Sequence, residues 1–145
     1  MKRTMLIAAA ALAAALVFGC ATAPKEIPTG LSVSELVQKA QDATDVYNYA
    51  AAIAYYQAAL DRYGSDPAVT CMADYEIAFI YYKQEKYAES EKLFKTLLAL
   101  YEGPAGATLP VRYKILADKV LPKVQNALGE NKPQVASQAA ATGSP

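Results

Sequence analysis

Apolar residues recur with a helical period along the middle of the chain, and no stretch alternates apolar with polar residues as a half-buried strand would. Ser32 and Glu35 form a capping box, which marks the start of a first helix. Clusters of glycine and proline at 64–67 and 103–106 interrupt the helical pattern. The pattern predicts an all-α body of five helices, at about 32–46, 49–63, 69–83, 86–101 and 108–128.

A different apolar segment lies at the beginning of the chain, where a fourteen-residue run from Met5 to Phe18 follows Lys2 and Arg3. A positive start and an apolar run of about 7–15 residues are typical of a secretory signal peptide. As a helix the run would span roughly 21 Å, which is short of the roughly 30 Å hydrocarbon core of a bilayer. We therefore assign residues 1–19 to a signal peptide and exclude them from the fold.

The end of this run, Val17-Phe18-Gly19-Cys20, resembles the lipobox of bacterial lipoproteins, with Phe18 in place of the usual small residue. The resemblance implies cleavage before Cys20 and a covalent lipid on that residue, and we expect no other cofactor. It also implies a location in the cell envelope. An aspartate after the lipidated cysteine retains some lipoproteins at the inner membrane, and Ala21 at that position favours the outer membrane over the inner membrane or the cell surface. The alternative is an ordinary signal peptide with Cys20 as an unmodified thiol, but a lone cysteine at this boundary favours the lipid.

Two flanking segments lack the apolar periodicity of the body. Residues 20–30 contain Pro24, Pro28 and Gly30, which predicts a flexible tether after the lipidated cysteine. Residues 130–145 are rich in alanine, serine and glutamine with two prolines, which predicts a disordered tail. The folded domain is therefore expected at 31–129.

An internal repeat connects two parts of the body. Residues 49–63 align with residues 87–101 at an offset of 38. A fixed offset between matching apolar positions indicates one supersecondary unit used twice. The identical pairs are Tyr49/Tyr87, Ala50/Ala88, Leu60/Leu98 and Tyr63/Tyr101.

The repeated unit resembles the tetratricopeptide repeat, a pair of antiparallel helices of 34 residues. Ile77, Ala78 and Tyr81 stand where that family has Leu-Gly-x-x-Tyr, whereas Asp74 and Lys39 depart from its pattern. The resemblance implies a short α-solenoid of two helical hairpins. The fifth helix would then cap the exposed end of the array, because each repeat buries its face only against a neighbour.

In that family the first helix of each pair lines a groove that binds a partner. The resemblance implies that a row of residues in the first and third helices of this chain lines such a groove. One interpretation is a tyrosine-rich strip that binds a partner. The other is a core beneath the last helix, and the third helix is apolar nearly all round, which favours the core for most of the row. The candidate groove residues are Gln41, Asp45, Met72, Tyr75, Phe79, Tyr82 and Lys83.

The composition of the chain excludes several kinds of active site and binding function. The 145 residues include no histidine and balance 14 Lys+Arg against 14 Asp+Glu. Without histidine there is no Ser-His-Asp triad, Cys-His pair or histidine-ligated zinc. A formal charge of zero argues against a nucleic-acid binder. We expect no enzyme, no catalytic residue and no metal site, and we expect Cys71 to be a small buried hydrophobe.

These features together predict a membrane-anchored envelope lipoprotein that acts as a scaffold for protein–protein interaction. Its partners would be envelope proteins and the membrane itself, and the exposed repeat ends favour self-association. The alternative is a small-molecule binding component of an envelope transport system, with an apolar or zwitterionic ligand in the tyrosine-rich pocket.

Overall fold

The computed structural model describes residues 22–130, so the signal peptide at 1–19, the lipid site at Cys20 and the predicted tail beyond Glu130 lie outside the described residues. No strand occurs among residues 22–130, and the all-α prediction is confirmed. A short 3₁₀ helix spans Gly106–Thr108. The five α-helices are α1 (Val33–Asp45), α2 (Tyr49–Tyr63), α3 (Pro67–Lys83), α4 (Tyr87–Glu102) and α5 (Val111–Glu130).

Local capping explains where the first helices begin. The Ser32 amide donates to the Glu35 carboxylate at 2.8 Å, and the Ser32 hydroxyl accepts from the Glu35 amide, which completes the predicted capping box. Hydrogen bonds from Ser32 hold the pKa of Glu35 below its usual value. Helix α3 begins two residues earlier than predicted, because Asp66 caps it and Pro67 fits the first turn, where no amide hydrogen is needed.

The 38-residue repeat forms two stacked helical hairpins, α1–α2 and α3–α4. Residues at equivalent positions of the two hairpins are buried alike, at 0–1% exposure, where the two helices of each hairpin cross. Small side chains at a crossing let the helix axes approach closely, and larger ones fill the space beside them. The equivalent pairs are Ala40/Ala78, Ala52/Ser90, Tyr56/Phe94 and Ala59/Leu97.

The turns that close the two hairpins also match. Tyr47 (φ 58°) and Glu85 (φ 60°) are the non-glycine residues with left-handed backbone among residues 22–130. Each donates its amide to the carbonyl three residues earlier at 3.0 Å, and the next residue donates to the carbonyl five residues earlier. This is the Schellman arrangement, in which the left-handed position usually holds glycine or asparagine.

Helix α5 covers the second hairpin. Ala117, Val120 and Val124 are buried against α3 and α4 in one cluster with Phe94 and Tyr75. The helix continues through Pro122. The predicted array of two hairpins and a final helix is therefore the observed fold. None of the helices α1–α5 has the length and hydropathy needed to cross a membrane.

The segment before α1 contacts the first hairpin, which differs from the flexible tether predicted over 20–30. The Arg62 guanidinium donates to the carbonyls of Ile27 and Pro28 at 2.9 and 2.7 Å. The Asn48 amide group donates to the Thr22 carbonyl at 3.3 Å. Local composition gave no sign of these bonds, because their donors lie 26 to 35 residues further along the chain.

Candidate partner-binding face

Helix α3 lies at the centre of the array, and seven of its seventeen residues are buried between α2, α4 and α5. Four residues at spacings of four, three and four stay at least partly exposed and line one face of the helix. Met72, Glu76 and Phe79 are half-buried, and Lys83 is exposed. We call these four residues the α3 stripe.

Aromatic rings form the base of the stripe. The Phe79 ring stacks against Tyr75 and Tyr82, each at a centroid distance of 5.9 Å. The Lys83 ammonium lies 5.3 Å from the centroid of the Phe79 ring, within cation–π range. Rings held by neighbouring rings offer a large contact area with little conformational freedom left to lose on binding.

Tyr75 belongs to the core beneath this face. Its side chain is 7% exposed, and its ring lies 5.8 Å from Phe94 in α4 and 6.0 Å from Tyr113 in α5. Of the two interpretations of the row, the structure therefore places Tyr75 in the core, whereas Phe79 remains accessible at its edge.

Glu76 is the unusual residue of the stripe. Burial raises the pKa of its carboxyl, and the opposing influence of the Lys83 and Arg112 charges is smaller. The carboxylate makes no hydrogen bond or ion pair with any residue in 22–130. The two cations lie instead on aromatic rings, Lys83 over Phe79 and Arg112 over Tyr113 at 5.4 Å. Glu76 therefore keeps free acceptor positions in a partly desolvated place.

Three phenols share the electrostatic environment of Glu76. Burial raises the pKa of Tyr56, Tyr75 and Tyr113, and the negative charge of Glu76 raises each of them further. These tyrosines belong to α2, α3 and α5, so three helices converge around one carboxylate. The phenols stay protonated at neutral pH and lie within electrostatic range of Glu76, but none of them donates a hydrogen bond to it.

The predicted groove residues divide into three sets. Tyr75, Phe79, Tyr82 and Lys83 lie together, and Tyr82 also packs on Tyr87 at 5.9 Å. Met72 packs towards the first hairpin instead. Among the described residues, the exposed pair Gln41 and Asp45 of α1 makes no hydrogen bond or ion pair with α3.

Three residues of this face were absent from the sequence prediction. Glu76 could have been found, because it lies four residues after Met72 and three before Phe79 on the same helical face. Arg112 and Tyr113 had no local signal. They reach this site only because α5 folds back over α3.

A separate cleft of about 240 Å³ lies where the start of α3 meets the end of α4 and the following loop. Its lining includes Cys71, Thr70, Leu100 and Leu109. Cys71 is fully buried, as expected for a small hydrophobe. The volume is below the roughly 300–1,000 Å³ usual for ligand pockets. In residues 22–130 there is no group of three acidic or cysteine side chains placed to bind a metal.

Comparisons with known proteins give one distant relative. An uncharacterized protein of Treponema pallidum (strain Nichols) is 31% identical over 98 residues, which cover 66% of this chain. The chain spans 39% of the length of that relative. No family model and no solved structure matches the chain.

Proposed function

We propose that the chain is a lipid-anchored envelope scaffold, in which Cys20 carries the lipid and the α3 stripe binds a protein partner. The observation that carries the proposal is the half-buried carboxylate of Glu76, which has no hydrogen-bond or ion-pair partner among residues 22–130 and lies three residues before Phe79 on the same helical face. A stable fold gains nothing from desolvating a carboxylate without pairing it. A partner that donates hydrogen bonds to Glu76 would recover that cost.

The surroundings of Glu76 define the chemistry of the partner. Phe79 and Met72 on either side of it offer apolar contact, and Glu76 accepts hydrogen bonds from an amide or a basic side chain. We therefore expect a helix or extended segment with an apolar residue next to a hydrogen-bond donor. A face this small supports a transient complex, and anchoring both proteins at one membrane raises their effective concentration.

Site-specific photo-crosslinking in cells tests the binding face. A photo-reactive amino acid at Lys83 should capture a partner, and the same residue at Lys92, which is exposed on α4, should not. Adding Glu76→Gln should weaken the Lys83 crosslink, because the amide keeps one acceptor oxygen but loses the charge, while Glu102→Gln at an exposed site should leave it unchanged. Equal crosslinking from both positions, or a crosslink insensitive to Glu76→Gln, would contradict the proposed face.

The anchor is tested separately by Cys20→Ala. We expect the unmodified chain to fractionate with membranes and to incorporate labelled fatty acid, and the variant to do neither. A variant that stays in the membrane fraction unchanged would show that Cys20 is not the anchor.

A further inference from the structure

The turn between α1 and α2 exposes two large apolar side chains. Val46 is 72% exposed and Tyr47 is 74% exposed, and they are consecutive residues at the tip of the turn. The Tyr47 ring is held edge-on against Tyr49 at a centroid distance of 6.1 Å. An ordered aromatic ring that is mostly exposed at a turn tip adds little stability to the fold beyond its edge contact with Tyr49.

The equivalent turn of the second hairpin shows that the backbone does not require apolar residues. Gln84 and Glu85 occupy the positions of Val46 and Tyr47. Glu85 has the same left-handed conformation as Tyr47, and its amide donates to the equivalent carbonyl. Tyrosine at a left-handed position is also strained, where asparagine or glycine would be favoured. The left-handed strain is common to both turns, and the first turn differs from its own repeat in its exposed apolar side chains, which the fold does not explain.

The first turn is also the one next to the proposed anchor. Asn48 follows Tyr47, and its side-chain amide donates to the carbonyl of Thr22 at 3.3 Å while its oxygen caps α2. Thr22 is two residues from Cys20. Lys86, the equivalent of Asn48, makes no side-chain cap. The chain therefore enters the fold directly beside the apolar tip, and a lipid on Cys20 would bring that tip to the bilayer.

We propose that Val46 and Tyr47 insert into the membrane interface beside the lipidated cysteine and fix the orientation of the array on the bilayer. This inference rests on the proposed lipid anchor. Tyrosine suits the interface because its ring enters the apolar region while its hydroxyl stays hydrated. The exposed carboxylate of Asp45 next to the tip favours neutral over anionic headgroups.

Tryptophan fluorescence tests the inference, because the chain contains no tryptophan. Tyr47→Trp places a single fluorophore at the first tip, and Glu85→Trp places one at the matched position of the second turn. Each lipidated chain is purified from membranes and reconstituted in phosphatidylcholine vesicles. We expect Trp emission from the Tyr47 variant to shift to shorter wavelength and to lose intensity with brominated acyl chains. The second turn lies at the same edge of the array but is polar, so the Glu85 variant should show a smaller shift and less quenching.

The outcomes separate the tip from the anchor. If the chain floats with the vesicles but both variants are quenched equally or not at all, the tip proposal is wrong and the anchor stands. If the chain does not float, the anchor is wrong and the tip proposal falls with it. A blue shift without quenching that depends on protein concentration would assign the tip to self-association and overturn membrane insertion.

Hydrogen exchange on the unsubstituted chain provides a test without variants. The amides of Tyr47 and Asn48 have the same hydrogen bonds as those of Glu85 and Lys86, so the second turn is an internal control. On vesicles we expect slower exchange in the first turn than in the soluble Cys20→Ala chain, with a smaller change in the second. Equal exchange in both states would overturn the proposal.

Discussion

Replacing Tyr47 by asparagine should make the isolated protein more stable. Tyr47 has a φ of 58°, in the left-handed region that asparagine tolerates better than tyrosine. Its side chain is mostly exposed, so little buried surface is lost on substitution. The expected sign is unusual, because most substitutions of an ordered aromatic residue destabilise a protein.

The size of the gain follows from two opposing contributions. The left-handed conformation costs an ordinary residue about 1–2 kcal/mol, of which asparagine recovers part. The edge contact with Tyr49 returns about 0.5 kcal/mol at so exposed a position. A net gain of about 0.5–1 kcal/mol corresponds to a rise in melting temperature of about 2–8 °C for a domain of this size.

Thermal unfolding followed by circular dichroism measures this effect in the soluble chain that carries Cys20→Ala. Glu85→Asn at the matched turn should gain at least as much, because Glu85 has the same φ and no ring contact to lose. Tyr47→Phe keeps both the strain and the ring and should change little. A fall in melting temperature with Tyr47→Asn would show that the exposed ring stabilises the turn, and the argument for a functional tip would lose its basis.

Burial raises the pKa of Asp74 and Glu76, so the folded chain binds protons more tightly and stability falls as the pH rises through the folded pKa values. Urea unfolding from about pH 4 to pH 7 measures the free energy of unfolding at each pH. Asp74→Asn and Glu76→Gln should make its decrease with pH smaller, and Glu102→Gln should not. An unchanged dependence on pH in the first two variants would contradict the burial of these carboxyls. Ser90→Ala removes a 2.8 Å bond from a buried hydroxyl to a helix carbonyl and should cost about 1 kcal/mol in the same assay, and a neutral result would show that the bond adds nothing. Cys71 is fully buried, so a maleimide should modify it in urea but not in buffer, and rapid labelling of the folded chain would refute the packing of α3.

The helices could be predicted closely where their ends depend on neighbouring residues. The capping box of Ser32 and Glu35 involves four consecutive residues, and the start of α1 was placed within one residue. Helix α5 begins at Val111 rather than near 108, because a 3₁₀ turn precedes it. The Tyr101 hydroxyl donates to the Pro110 carbonyl at 2.8 Å. This contact joins α4 to the loop before α5, and helical periodicity does not predict it.

The binding face could be predicted only in part, because α3 is apolar on most sides. A helix with apolar residues all round has no preferred face, so its period alone cannot separate Tyr75 in the core from Phe79 at the surface. Which of these side chains is buried depends on α5, whose Tyr113 covers Tyr75 from a position 38 residues away in sequence. The charged residues Asp74, Glu76 and Lys83 are the local exceptions, since a charge on such a helix marks a side that is not fully covered.

The two proposed surfaces have a fixed relation through the connections of the array. Helices α1, α2 and α3 are joined by three-residue links, so successive helices run in opposite directions and α1 and α3 end at the same edge. The apolar tip of the first turn follows the end of α1, and Lys83 lies at the end of α3. If the tip rests on the bilayer, Lys83 is the membrane-proximal end of the α3 stripe and Met72 lies roughly 16 Å further away. A partner bound along the stripe would then extend away from the membrane, and the tip would keep this direction constant where a flexible lipid tether alone would not.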